Sequence, residues 1–198
     1  LQMRSGTLLL VTTLCATVAA LPRFWGGRLR GGFVQTSHEE AVRDSRADSD
    51  VIGTAYIKQK IDHFNASDSR TFKQRYFFRN DNTAEKNVNF LYISGEQTAS
   101  SKKITGDTTP IVQYAKKFNG NLFLLEHRYY GESRPFDDTS TNNLKYLSSR
   151  QAIEDIAEFI KAMNANYGPA TQKWVVVGGS YAGNLAAWAR LKHPELIA

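Results

Sequence analysis

One serine in the chain is set among residues that leave it room to react. Ser180 stands in Gly178-Gly179-Ser180-Tyr181-Ala182-Gly183, directly after the apolar run of residues 173–177. A serine hydroxyl is a weak nucleophile. Attack on an acyl carbon needs a base within hydrogen-bond reach and donors aimed at the oxyanion that forms. A sharp turn from strand into helix supplies the geometric half of that need. It lifts the hydroxyl above the carboxyl edge of a sheet and turns the next backbone N–H, here that of Tyr181, toward the developing charge. Such a turn is crowded, so the positions two before and two after the serine must be small. Gly178 and Ala182 satisfy this, and Gly183 lets the helix lie close to the strand. Relative to G-x-S-x-G, Ala182 takes the place of the second glycine. A dinucleotide loop, G-x-G-x-x-G, needs glycine where Ser180 sits, and a phosphate loop needs a Gly-Lys-Ser/Thr ending; neither is present. The remaining competitor is a tight turn with an incidental serine.

The second oxyanion donor of such a site comes from the loop after an earlier strand. Gly95 and Glu96, followed by Gln97, fill that position after the apolar run of residues 88–94. A plain strand-end turn explains them equally well. Glu126, His127, Arg128 and Glu132 follow another buried run and could form a polar network that shapes the site, since sites in parallel sheets gather at the carboxyl ends of strands. A lone histidine such as His127 is more often structural than catalytic.

Several elements must position these groups. Residues 70–79 alternate in a strand pattern with aromatic weight. Residues 88–94 are a nearly continuous apolar strand, as in a sheet covered on both faces, and the segment Asn121 to Arg128 reads as another buried strand. Pro110 opens a helix through Phe118, with Ile111, Tyr114, Ala115 and Phe118 on one side, and Asn119-Gly120 marks its exit. Ser148 and Gln151 offer a capping box. The helix behind it carries Ile153, Ile156, Ala157, Ile160 and Met163 at helical spacing and stops at Gly168-Pro169. Residues 173–177 form a last strand, and a helix runs from the serine turn to just before Pro194. The order strand, strand, helix, strand, helix, strand, helix predicts a parallel sheet with helices on both faces.

The chain has 198 residues, 41% apolar and 22% charged, the balance of a soluble globular protein. Its net charge of +6 comes from scattered basic residues with no run and no aromatic interleaving, so nucleic acid is not an expected partner. Residues 1–20 read as a secretory signal peptide, with Arg4 before an apolar stretch and the small residues Val18 and Ala20 before a cut at Leu21. Residues 21–55 read as a mobile leader and residues 56–198 as the folded part. No segment approaches about 20 apolar residues, so no membrane contact is expected once the signal is removed. The single cysteine, Cys15, lies in the signal, which leaves no internal disulfide downstream. Asn65-Ala66-Ser67 is a glycosylation sequon.

Four stretches together resemble one family: QKIDHFN (residues 59–65), EHRYYGESRPF (126–136), LKYLSSRQAIEDIA (144–157) and GGSYAG (178–183). The chain resembles the serine peptidases that include lysosomal prolyl carboxypeptidase, dipeptidyl peptidase II and thymus-specific serine protease, from about Lys58 onward. In residues 93–100, Ser94 and Gln97 stand where the family's Gly-Gly-Glu-Gly loop has glycines. The resemblance implies an α/β-hydrolase fold, seen here as the N-terminal half of the sheet up to the nucleophile turn and its helix, with a cap domain and later strands beyond. It implies Ser180 as acylating nucleophile, Tyr181 N–H as one oxyanion donor, and hydrolysis of short peptides next to proline, outside cells or in lysosomes, without cofactor or metal. Peptide substrates are the expected partners, with homodimerisation of the full-length enzyme a further expectation. The order Ser, Asp, His places the other two triad members after Ser180. There the chain has one histidine, His193, at the far end of the helix, and no aspartate. The chain therefore reads as an N-terminal fragment, poorly soluble and inactive alone because residues 173–177 become a bare apolar edge. An esterase or lipase on the same fold, and a non-catalytic truncated binding protein, are the alternatives.

Overall fold

The computed structural model describes residues 24–25, 28–29, 52–86, 88–167 and 173–198. The signal peptide, Gly168-Pro169 and most of the 21–55 arm lie outside the described residues. Within that arm, β1 (Phe24–Trp25) pairs antiparallel with β2 (Arg28–Leu29). They belong to a unit of their own, residues 1–43, separate from the unit that carries the large sheet.

That sheet has five strands in the order β3-β4-β6-β5-β7. They are β3 (Ile52–Lys60), β4 (Thr71–Arg79), β5 (Val88–Ile93), β6 (Asn121–Leu125) and β7 (Lys173–Val177). β3 and β4 form an antiparallel pair, and β4 runs antiparallel to β6. β5 is parallel to both β6 and β7. The all-parallel expectation is thus corrected to a mixed sheet. β3 begins at Ile52, inside the arm expected to run to residue 55, and the expected boundary at residue 56 falls within a strand. Its inward residues explain why it is hard to read: Gly53, Ala55, Ile57 and Gln59 alternate with exposed Thr54, Tyr56 and Lys58, and only Ile57 is a large apolar side chain. β6 is also shorter than expected, because Glu126, His127 and Arg128 leave the ladder.

The described helices are α1 (Pro110–Lys117), the short α2 (Thr141–Leu144), α3 (Ser149–Tyr167) and α4 (Tyr181–Lys192); α1, α3 and α4 cover the sheet, and α2 buries none of its residues. The side-chain period of two sorts the strands onto two faces. Phe90, Leu122 and Leu124 meet Ile111, Val112 and Ala115 of α1. Leu91, Ile93, Phe123 and Leu125 meet Ile153, Ile156, Phe159, Ile160 and Met163 of α3 and Leu185 and Ala189 of α4. Trp174, fully buried, packs on this second face with its ring 5.4 Å from that of Phe123 and its Nε1–H donating to Asn164 Oδ1 at 2.7 Å.

The apolar stripe of α3 lies where its spacing put it. That of α1 is rotated: Ile111, Val112 and Ala115 are buried, while Tyr114 and Phe118 are more than half exposed. Phe118 closes α1 outside its last turn and stacks on Phe90. Asn119 takes a left-handed φ of 47°, and Gly120 N–H returns to Ala115 O at 2.8 Å, which ends the helix. The capping box is half formed. Ser148 Oγ accepts from Gln151 N–H at 3.3 Å, but the Gln151 side chain turns away, donating to Asp62 Oδ1 and accepting from His63 N–H. Competition from these partners outweighs the local reciprocal bond.

Candidate active site

β5, β6 and β7 end side by side, and each contributes a loop to the same edge. β5 leads through α1 to β6 on one side of it, and β6 leads through α3 back across to β7 on the other. Their order therefore reverses at β5, the place where parallel sheets open a crevice. The loops beside that crevice are Ser94-Gly95-Glu96 and Gly178-Gly179-Ser180.

Ser180 occupies the turn between β7 and α4 with φ 55° and ψ −128°, a region a non-glycine residue adopts only under constraint. It is exposed, and its hydroxyl does not cap the helix. Its carbonyl accepts from Gly183 N–H at 2.9 Å and Asn184 N–H at 3.2 Å. The amide of Tyr181, first residue of α4, has no partner within the helix. The constraint comes from packing. A Cβ on Gly178 would overlap the Ala182 carbonyl and stand 2.9 Å from Gly183 N, and one on Gly183 would meet Gly178 O at 3.1 Å. Ala182 is buried. The glycines at 178 and 183 thus let strand end and helix start touch through their backbones, as their spacing predicts. A Cβ on Gly179 would find nothing nearer than Tyr92 Oη at 4.0 Å.

The second loop approaches this turn: a Cβ on Gly95 would stand 3.8 Å from that of Ala182, and Glu96 is exposed. The loop is anchored from behind, Ala99 N–H donating to Glu126 Oε1 at 2.9 Å. Glu126 is fully buried and also receives Arg75 Nη2 at 2.6 Å, Ser133 Oγ at 2.8 Å and Glu132 N–H at 3.0 Å. Gly131, with φ 55°, gives this carboxylate its space, since a Cβ there would overlap it.

Arg128, also fully buried, grips Asp155 of α3 through Nε and Nη2, both at 2.7 Å, and donates to the carbonyls of Ile61, Tyr146 and Lys60 at 3.0–3.1 Å. His63 Nε2 meets the same carboxylate at 2.8 Å. His127 points the other way. Its Nδ1 lies 2.8 Å from Arg128 O and its Nε2 3.2 Å from Tyr181 Oη. A carbonyl only accepts, so Nδ1 carries the proton and Nε2 accepts from the phenol. Burial pushes the His127 pKa down, and burial, followed by the Glu96 charge, pushes that of the Tyr181 phenol up.

The structure divides the expected network of Glu126, His127, Arg128 and Glu132 in two: Arg75 joins Glu126 to Glu132, Arg128 pairs with Asp155, and His127 touches the second group only through the Arg128 carbonyl. Asp155 was not foreseen as a member. Its sequence signal is a carboxylate on the apolar face of a helix, between Ala152, Ile156 and Phe159. His193 caps the far end of α4 and faces Glu154 at 3.2 Å. Each of the described histidines, 63, 127 and 193, thus has a partner other than Ser180. Among the described residues no group of three or more His, Cys, Asp or Glu side chains could hold a metal ion.

Residues 59–198 match the family model described as serine carboxypeptidase S28. A Caenorhabditis elegans protein assigned as a serine protease, K12H4.7, is 44% identical over 172 residues, covering 86% of this chain and 34% of that protein. The mouse lysosomal Pro-X carboxypeptidase is 36% identical over 146 residues, 72% of this chain and 30% of that protein. The chain spans about a third of the length of these curated relatives. Among solved structures, a Bacteroides ovatus chain assigned as a dipeptidyl aminopeptidase IV superposes with a TM-score of 0.52 at 16% identity, over 74% of this chain and 20% of that one. That likeness bears on the fold alone, which is that of the α/β-hydrolases, as expected. With the family model covering most of the chain, and the serine turn, the Glu126 loop and the α3 motif all inside the match, the chain belongs to the serine carboxypeptidase S28 family.

Proposed function

We propose that the full-length protein is a serine exopeptidase that hydrolyses short peptides at bonds next to proline, by acyl-enzyme chemistry on Ser180. The observation that carries this reading is the turn at Ser180: an exposed hydroxyl on a constrained backbone, one residue before a helix amide with no helical partner. In the reaction Ser180 Oγ attacks the scissile carbonyl as its proton passes to a base. The Tyr181 N–H, and an N–H of the Gly95-Glu96 loop, then donate to the tetrahedral oxyanion. Collapse expels the amine and leaves the acyl-enzyme, which water hydrolyses. The base and its carboxylate belong, in this reading, to a later part of the full-length protein. The lysosomal relative and the hydrophobic leader of residues 7–19 support a route through the secretory pathway to lysosome or exterior. Removal of the hydroxyl tests the chemistry. Ser180→Ala in the full-length protein should lower kcat on proline-containing peptides by roughly 10⁶-fold and abolish labelling by a fluorophosphonate probe. Turnover within tenfold of wild type would refute it. Peptides blocked at either terminus then separate release of one C-terminal residue from release of an N-terminal dipeptide.

A further inference from the structure

We propose that His127 is a positioning residue for the reaction at Ser180: by accepting the Tyr181 hydroxyl at Nε2 it fixes the first residue of α4, and so the aim of the Tyr181 N–H. The inference rests on the serine-peptidase reading above and adds a residue to it.

Three observations carry it. His127 has both ring nitrogens committed, Nδ1–H to Arg128 O and Nε2 to the phenol, so it holds the tyrosine and is not free to serve as the base. The carbonyl that fixes its tautomer belongs to Arg128, whose guanidinium is held by both oxygens of Asp155 and by three backbone carbonyls drawn from β3, the turn after it and the loop before α3. That carbonyl cannot drift, and neither can the imidazole. The ring is also enclosed, edge-on to Tyr130 at 5.5 Å and tilted against Tyr181 at 5.6 Å. The resulting chain runs from α3 through Asp155, Arg128 and His127 to Tyr181, and it reaches the reacting end of α4 through polar contacts, beside the apolar packing of the two helices. Burial keeps the imidazole neutral into mildly acidic solution, so Nε2 remains an acceptor there.

An oxyanion donor acts on the transition state more than on bound substrate, so loosening it should appear in kcat and leave KM nearly unchanged. A displacement of the order of 1 Å at a catalytic group costs roughly 10²-fold. The test uses the full-length protein with p-nitrophenyl acetate as substrate, counting only hydrolysis lost in Ser180→Ala. His127→Ala and Tyr181→Phe should each lower kcat by about tenfold to a hundredfold with KM within about twofold. The double variant should be no worse than the poorer single one, and His127→Gln, which keeps an acceptor, should recover part of the loss. A His127→Ala loss that is equally large in the Tyr181→Phe background would overturn the proposal. So would an unchanged kcat in Tyr181→Phe, which removes one oxygen and leaves the fold intact. Hydrolysis unaffected by Ser180→Ala would instead sink the serine-peptidase reading, and this inference with it.

Discussion

Ser180 sits on a backbone that costs free energy to hold, of the order of 1–3 kcal/mol for such a conformation. What compensates is the contact between Gly178 and the first turn of α4. The two glycines before the serine therefore carry opposite expectations. Gly178→Ala would drive a methyl group into the Ala182 carbonyl, backbone against backbone, where no side chain can yield. It should destabilise the domain by about 1–3 kcal/mol and abolish fluorophosphonate labelling of the full-length protein. Gly179→Ala meets no atom nearer than 4.0 Å and should melt within a degree or two of wild type and still be labelled. Equal damage from both would mean that the turn is not held by packing. This distinction was only half legible in the sequence. The need for small residues at 178, 182 and 183 follows from the serine turn, but the freedom at 179 does not, because it depends on where Tyr92 and α4 leave space.

Among the elements, α3 does two tasks with one face. Ile153, Ile156, Ile160 and Met163 bury the apolar sheet, which their spacing predicts, while Asp155 stands on the same side and closes the buried pair with Arg128. Periodicity registers hydrophobicity and passes over a carboxylate that is inside because its partner is inside. The same blindness hid β3, whose buried Gln59 donates to the Asp155 carbonyl at 2.8 Å and whose Gly53 lies against the Phe78 ring. The rotation of the buried face of α1 escaped for a different reason. Tyr114 and Phe118 suit a core by type, and only the sheet decides that Val112 takes the inward place. Removal of one member of a buried ion pair strands the other without water, so Asp155→Ala should cost about 3–5 kcal/mol in a denaturant melt. Asp107→Ala breaks an ion pair with Lys116 in which both side chains are more than half exposed, and should leave the midpoint close to wild type. If the two variants melt alike, the Arg128 cluster is not what ties β3 and α3 to the carboxyl edge.

At the scale of the molecule, the described buried charged residues, Arg75, Glu126, Arg128 and Asp155, gather toward the carboxyl edge of the sheet. β3 runs parallel to β6, since each is antiparallel to β4, so the connection between β3 and β4 emerges at that same edge. Its inner end is fastened by Arg128 to the carbonyls of Lys60 and Ile61, and its outer end carries the sequon. Asn65, Ala66 and Ser67 are all exposed there. Asn65 Oδ1 accepts from Ser67 N–H at 3.0 Å and its carbonyl from Asp68 N–H at 3.1 Å, so the side chain stands on a tight turn, clear of the core. On the far side of the sheet order, beyond β4, β6 and β5, lies the serine turn at the end of β7, four strands away from β3. A glycan on Asn65 would therefore leave the crevice between β5 and β7 open. Full-length protein secreted from a eukaryotic host should lose apparent mass on treatment with a peptide N-glycosidase. Asn65→Gln should show a smaller loss and keep kcat and KM within about twofold, since no contact of Asn65 reaches the site. Mass spectrometry that finds unmodified Asn65 throughout the secreted protein would show that exposure and turn geometry do not suffice at this position.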